Sequence, residues 1–147
     1  MLGILLVILY TCLFAYITYK HPFFTQSQLP NNIRLAAYSL KIGMALLYGW
    51  VSINLIDGAD TINYVNQSYL IYNTLFINPL YYLELVFGPN ARKPPSYLYE
   101  YTLPLDAWTD VRTYMMYRIN ALIHLFSGGY YYVHAVFFGF LSFNIYI

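Results

Sequence analysis

The chain has 147 residues, of which 60% are hydrophobic, 21% aromatic and only 9% charged, with a net charge of +1. Soluble domains carry charge on about a quarter of their residues, so this composition excludes an ordinary soluble domain and predicts an all-α, multi-pass membrane protein. The low net charge excludes nucleic acid as a partner, and the single cysteine, Cys12, excludes an internal disulfide and a structural zinc site.

Three apolar segments are predicted to form transmembrane helices, over about 2–19, 35–56 and 130–147. The second is long enough, at 1.5 Å per residue, to cross a hydrocarbon core of roughly 30 Å. The first lacks the basic start and the small-residue cleavage site of a signal peptide, so it is interpreted as a retained helix. The third runs to the last residue without a polar flank, which predicts that the chain is the N-terminal part of a longer protein.

The distribution of lysine and arginine predicts the orientation of these segments. Lys20 and Arg34 lie in the connection between the first two segments, with Lys41 beside it, and no further Lys or Arg follows until Arg92. The positive-inside rule therefore places this connection in the cytoplasm and residues 57–129 outside, as one long outer loop.

Three interfacial amphipathic helices are predicted within this loop, over about 61–77, 79–87 and 107–126. Asp60 with Thr61 is expected to cap the first helix, and Asn78 followed by proline marks the start of the second. Asp106 is expected to cap the third, which the glycine pair at 128–129 ends.

The third loop helix has two different faces at 100° per residue. One face is apolar and comprises Trp108, Val111, Met115, Ile119, Leu122 and Phe126. The opposite stripe is polar and comprises Asp106, Asp110, Thr113, Tyr117, Asn120 and His124. This polar stripe is expected to face water, either as the wet side of an interfacial helix or as the lining of an aqueous cavity.

Asp60 is the leading candidate for chemistry and Asp57 is a candidate substrate-binding residue, because carboxylates at a membrane boundary are costly to place. Asp60 could act as a general base or hold a divalent cation, and no other cofactor is indicated. The plainer interpretation is that both carboxylates cap a helix where the chain leaves the bilayer.

Arg112 and Arg118 lie at the flanks of the apolar face and are candidates for binding phosphate, for which a guanidinium is well shaped. Contact with ordinary lipid headgroups is the competing interpretation. Tyr64, Asp110, Asn120 and His124 complete the set of candidate substrate-binding residues, although a histidine in this setting is more often a hydrogen-bonded bundle residue than an acid–base group.

Two stretches carry a resemblance to known proteins. Residues 58–64, with the pattern G-x-D-x-x-x-Y after two apolar segments, resemble the opening of EpsG-type and Wzy-type polysaccharide polymerases and, more broadly, GT-C glycosyltransferases. Residues 118–134 are similar to a segment of multi-pass proteins of Bacteroidota. The resemblance covers most of the chain, but in GT-C enzymes the acidic residue usually follows the first span, whereas Asp60 follows the second.

The resemblance implies a bacterial inner-membrane protein of envelope polysaccharide synthesis. Such a protein would transfer or polymerise sugars from a polyprenyl-phosphate or polyprenyl-pyrophosphate carrier at the outer face of the membrane, with membrane lipid around it. By this analogy Asp60 would deprotonate the acceptor or hold a metal ion, and Arg112 and Arg118 would grip phosphate. A non-catalytic membrane scaffold and a transporter of lipid-linked glycans remain as alternatives.

Overall fold

The computed structural model describes residues 1–25, 30–56, 59–88 and 111–144. Regular structure in these residues is entirely helical, so the predicted all-α class is confirmed for the described chain. In chain order the helices are α1 (Leu2–Lys20), α2 (Pro22–Thr25), α3 (Asn31–Asn54), α4 (Asp60–Ile77), α5 (Pro79–Phe87), α6 (Val111–Ser127) and α7 (Tyr131–Asn144). They divide into unit 1, formed by Met1–Asp57 with Tyr130–Ile147, and unit 2, formed by Gly58–Gly129.

Two helices of unit 1 are long and apolar enough to cross a membrane. These are α1, with 19 residues, and α3, with 24, so they are about 28 and 36 Å long. Only 11% of the apolar stretch of α1 and 22% of that of α3 are buried. The core helix of a soluble protein would bury most of its length, whereas these two helices direct most of their apolar side chains outward.

The segment predicted as a third span, 130–147, is helical where the structure describes it. Helix α7 covers the 14 residues Tyr131–Asn144, and residues 145–147 lie outside the described part of the chain. Among the described residues two helices, α1 and α3, are long and apolar enough to cross a membrane, and the third span stays a prediction.

Aromatic side chains hold unit 1 together. Helix α7 packs against both α1 and α3. The rings of Phe14 and Phe140 stack with their centroids 4.2 Å apart, and Phe137 meets Tyr10 edge-on at 5.0 Å. The buried hydroxyl group of Tyr38 donates a hydrogen bond of 2.8 Å to the carbonyl group of Thr11, so α3 is tied to α1 by a polar contact as well.

A buried arginine joins the ends of two helices in unit 1. Arg34, which is 1% exposed, donates from Nη1 to the carbonyl oxygen of Phe24 at 2.6 Å. Its Nη2 donates to the carbonyl oxygen of Tyr19 at 3.3 Å and to Oδ1 of Asn31 at 2.7 Å. Tyr19 and Phe24 belong to the last turns of α1 and α2, where carbonyl groups have no helical partner and the helix dipole favours a cation. The guanidinium group therefore stabilises the turn between α1 and α3.

The described part of unit 2 comprises α4, α5 and α6, each of which packs against the other two. Its core is a cluster of aliphatic and aromatic side chains: Ile71, Tyr82, Leu85, Val86, Tyr114, Tyr117 and Ala121. Two tyrosine hydroxyl groups cross from one helix to another, because Tyr82 donates to the carbonyl group of Ala121 at 3.1 Å and Tyr114 donates to that of Leu85 at 2.7 Å. These hydrogen bonds fix the position of α5 on α6.

The starts of the loop helices differ in detail from the predictions. The cap residue of α4 is Ala59, and Asp60 is the first residue inside the helix, so Asp60 is not the predicted N-cap. Helix α5 has Asn78 as its cap, whose Oδ1 accepts from the backbone N–H of Leu80 at 3.0 Å. The predicted start of the last loop helix, with Asp106, Trp108 and Asp110, lies outside the described residues.

Replacing Arg34 with methionine should destabilise the protein, because three hydrogen bonds to a charged group are lost at a buried position. We expect a loss of about 3 kcal/mol or more in the free energy of unfolding, followed by circular dichroism of the purified chain in detergent. Arg34→Lys should restore part of this loss, since an ammonium group cannot reach all three acceptors. The control Lys20→Met removes an exposed cation of the same connection and should change stability little; equal effects of the two methionine variants would contradict the role of Arg34.

Candidate functional site

Asp60 is an exposed carboxylate at the start of α4. It is the acidic residue of the first helical turn, where the positive end of the helix dipole stabilises a negative charge. Within the described part of the chain, no hydrogen-bond or ion-pair partner of this carboxylate is found. Its side chain is therefore open to a ligand from solution, while Asp57 lies outside the described residues.

A polar stripe runs along α4 from this carboxylate. Asp60, Asn63, Asn66 and Tyr69 are all exposed and follow one another at intervals of three residues. Residues three apart are neighbours on a helix surface, but each step of three residues turns by about 300°, so the row winds around α4 as it rises by about 14 Å. Tyr69 therefore lies on the opposite side of α4 from Asp60. Apart from Asp60 the members of this stripe are uncharged, so the stripe offers amide and hydroxyl groups to a ligand.

The stripe ends at an open pocket of about 450 Å³ in unit 2. Its lining consists of Val65, Asn66, Tyr69, His124, Gly128 and Gly129. Both glycines have positive φ, 57° and 87°, a conformation that an L side chain rarely adopts. A Cβ on Gly129 would also meet the Tyr69 ring at 3.4 Å. Because the two glycines carry no side chain, the pocket stays open beside the Tyr69 ring.

The imidazole of His124 forms the buried floor of this site. Its Nε2 lies 3.1 Å from the carbonyl oxygen of Val65 and 3.0 Å from Oγ of Ser68. Ser68 donates its own hydrogen to the Val65 carbonyl at 2.8 Å, and a carbonyl only accepts. Nε2 therefore carries the hydrogen, while Nδ1 faces Oγ of Ser127 at 3.5 Å. This arrangement fits a neutral imidazole that links α4 to α6.

Two aromatic rings enclose the same imidazole. Tyr72 stacks on His124 with centroids 5.4 Å apart and an interplanar angle of 30°, and Tyr69 meets it edge-on at 5.4 Å. Burial lowers the pKa of His124 below its ordinary value, and the hydrogen bond to Val65 opposes this shift only in part. In the folded protein His124 is therefore held in its neutral form over the physiological pH range.

The predicted polar stripe of the last loop helix faces the interior of unit 2, not water. Asn120 and His124 are 1% and 0% exposed, and Asn120 donates to the carbonyl group of Met116 at 2.8 Å. Tyr117 is also buried, and Tyr64 packs edge-on against its ring at 5.9 Å. Each of these side chains has a partner on α4 or on α6 itself, because a buried polar group must find a partner. Asp110 lies outside the described residues.

The two candidate arginines occupy different environments. Arg112 lies exposed in the first turn of α6. Arg118 is buried, donates from Nη2 to the carbonyl oxygen of Gly88 at 2.6 Å, and lies over the Tyr114 ring at 4.5 Å. The structure therefore uses Arg118 to hold the end of α5, and only Arg112 of the pair reaches the surface.

Ser68 is a site residue that reasoning from the sequence missed. The buried positions of α4 are Val65, Ser68, Ile71 and Thr74. The sequence did carry a signal for the contact of Ser68 with His124, namely the small hydroxyl residues Ser68 and Thr74, spaced among aliphatic residues. Such residues often mark polar contacts between packed helices. Among the described residues no cluster of three or more His, Cys, Asp or Glu could hold a metal ion.

Comparisons with protein-family models, with curated proteins and with solved structures found no match to this chain. The functional argument therefore starts from the residues themselves.

The stability of the protein should fall as the pH drops below about 6.5, the pKa of an unfolded histidine. Because the folded pKa of His124 is lowered, the unfolded state binds more protons in this window, and stability then increases with pH. We expect a contribution of about 1.4 kcal/mol for each unit by which the pKa is lowered. Melting in detergent between about pH 5 and 8 measures this dependence.

The matched variants for this titration are His124→Gln and His21→Gln. His124→Gln should lose most of the pH dependence, whereas His21→Gln, at an exposed position in unit 1, should keep it. A pH dependence that survives in His124→Gln would show that another group causes it.

Proposed function

We propose that this chain belongs to an integral membrane protein that transfers or polymerises sugars from a polyprenyl-phosphate-linked donor at the outer face of a bacterial inner membrane. The single observation that carries this proposal is the carboxylate of Asp60, which is exposed on the first turn of α4 shortly after the membrane-length helix α3. A carboxylate next to a bilayer and open to a ligand is suited to take a proton from an acceptor hydroxyl group.

The position of Asp60 suggests how the sugar transfer would proceed. The acceptor oxygen would attack the anomeric carbon of the donor sugar, and the bond from that carbon to the phosphate oxygen would break. The hydroxyl proton would pass to the Asp60 carboxylate, and the polyprenyl phosphate or pyrophosphate would leave. A divalent cation held by Asp60 that steadies the leaving phosphate is the alternative role for this residue.

The surface beside Asp60 suits a sugar acceptor. Asn63, Asn66 and Tyr69 extend the exposed stripe towards the open pocket of about 450 Å³. Amide and phenol groups donate and accept hydrogen bonds without attracting a net charge, as a polyhydroxylated ligand requires. Arg112 is the exposed candidate for contact with the phosphate group of the donor.

A non-catalytic scaffold is a second candidate, favoured by a different observation. Arg118, Asn120 and His124 are all buried, and each has its contacts within unit 2. Polar residues committed to internal contacts build a rigid helical unit and leave few groups for catalysis. In this case the exposed surfaces of the helices would bind other membrane proteins.

Replacing Asp60 with asparagine should abolish polymer formation, because an amide cannot accept the proton. We expect the rate to fall by about 10²- to 10⁴-fold, as for the loss of a general base. The measurement is the amount and length of polymer made by a deletion strain of the host that carries each variant in the full-length gene. Immunoblots of membrane fractions confirm equal protein levels.

The matched control is Glu84→Gln, which neutralises another exposed carboxylate of unit 2. This variant should make polymer as the wild type does. Normal polymer from Asp60→Asn would exclude the catalytic role and favour the scaffold.

Insertion of α3 into the bilayer is tested separately with spin labels. Cys12 is first replaced by serine, and one cysteine at a time is then introduced at Leu40 or Leu47, two exposed apolar positions of α3. Oxygen dissolved in the lipid should relax a spin label attached at either position. The same label should be protected from a water-soluble nickel chelate, because hydrocarbon excludes the chelate. A label at the exposed position Asn63 should show the reverse, and strong nickel relaxation at Leu40 and Leu47 would contradict a transmembrane α3.

A further inference from the structure

Helix α6 has polar residues of its predicted stripe inside, beside the apolar Ala121 and Ile123, and the described residues of its predicted apolar stripe outside. The inward positions Tyr117, Asn120 and His124 are at most 1% exposed. The opposite positions Met115, Ile119 and Phe126 are 42%, 40% and 53% exposed, and the half-buried Leu122 lies between them. These last four residues are named the α6 outer face.

A helix that folds in water turns its apolar stripe to the core and its polar stripe to the solvent. In hydrocarbon the preference reverses, because polar groups without partners cost several kcal/mol there and must satisfy one another inside the fold. The links from His124 to Val65 and Ser68 are such internal partners. The arrangement of α6 is therefore the one that a lipid environment favours.

We propose that the α6 outer face contacts the hydrocarbon chains of bilayer lipids, so that unit 2 is set into the membrane and is not an aqueous loop. This inference rests on the membrane location in the proposed function and does not depend on the role of Asp60.

The chemistry of the face favours lipid over a protein partner. Interfaces between helices in membranes are rich in Gly, Ala, Ser and Thr, which allow close approach, and in polar residues that bond across the contact. The α6 outer face has none of these residue types. Large aliphatic side chains such as Met115 and Ile119 suit mobile acyl chains, which impose no register on the surface that they cover.

The neighbouring helix α5 supports the same environment. Tyr82, Leu85 and Val86 are buried against the rest of unit 2. The remaining positions are also mostly apolar, and the exposed ones include Leu80, Leu83 and Phe87. A helix that is hydrophobic all round belongs in the core of a protein or in a membrane. Because only one side of α5 lies in the core of unit 2, its other side also suits contact with lipid.

Spin labels test this placement directly. Cys12 is the single cysteine, so Cys12→Ser allows one labelled cysteine at a time in the purified full-length protein. The test positions are Met115, Ile119 and Phe126, and the control positions are the exposed residues Asn63 and Asn66 on α4. The protein is reconstituted in vesicles of phosphatidylcholine and phosphatidylglycerol, and relaxation by oxygen and by a nickel chelate is measured at each label.

We expect the ratio of oxygen to nickel accessibility at the test positions to exceed that at Asn63 by several-fold. Nickel accessibility at Ile119 equal to that at Asn63 would place the face in water and overturn the proposal. Low accessibility to both reagents would show that another part of the protein covers the face, and spin–spin broadening would show a second copy; either result overturns it. Three test positions on successive turns allow for one variant that does not fold.

The outcomes separate this inference from the proposed function. If labels at Leu40 and Leu47 report lipid while those on the α6 outer face report water, only the placement of unit 2 fails. If Asp60→Asn still makes polymer while the α6 labels report lipid, the catalytic proposal fails and the lipid contact stands.

Discussion

The hydrogen bonds of the His124 imidazole are the constraint on which unit 2 depends. An imidazole that is buried must find a partner for its N–H group, and Val65 and Ser68 on α4 provide it. These contacts determine which side of α6 faces inward, so the apolar side of the same helix faces outward. The inward orientation of His124 explains three features of unit 2. The polar residues of α6 are buried, Met115 and Ile119 are exposed, and an open pocket lies beside the glycine pair.

Arginines perform a related task at the ends of helices. Arg34 binds carbonyl groups in the last turns of α1 and α2, and Arg118 binds the carbonyl group of Gly88, which follows α5. Carbonyl groups at the end of a helix lack intrahelical partners and carry partial negative charge, so a buried guanidinium group satisfies both. Because these two cations serve the fold, Asp60 and Arg112 are the charged residues among the described site candidates that remain exposed.

The separation between buried polar residues that hold the fold and exposed polar residues on α4 supports the functional proposal. The buried residues hold α4 in place, and α4 presents Asp60 at one end and the pocket with Asn66 and Tyr69 further along. A rigid helix that carries an exposed carboxylate and a winding row of neutral polar groups would suit a hydroxyl-rich acceptor. Contact of α6 with lipid would bring this platform close to a donor that is itself anchored in the membrane.

The sequence by itself determined the helical class, the two membrane-length helices and the bounds of α5, because apolar periodicity, caps and helix length are local properties. It also identified Asp60 as the leading candidate and separated the two faces of α6. Only the tertiary structure decided that the polar face lies inside, that Arg118 is buried and that Ser68 is a partner of His124. The physical reason is that periodicity distinguishes two faces without stating which one meets the solvent, since that depends on the partners supplied by distant residues and on whether the surroundings are water or lipid.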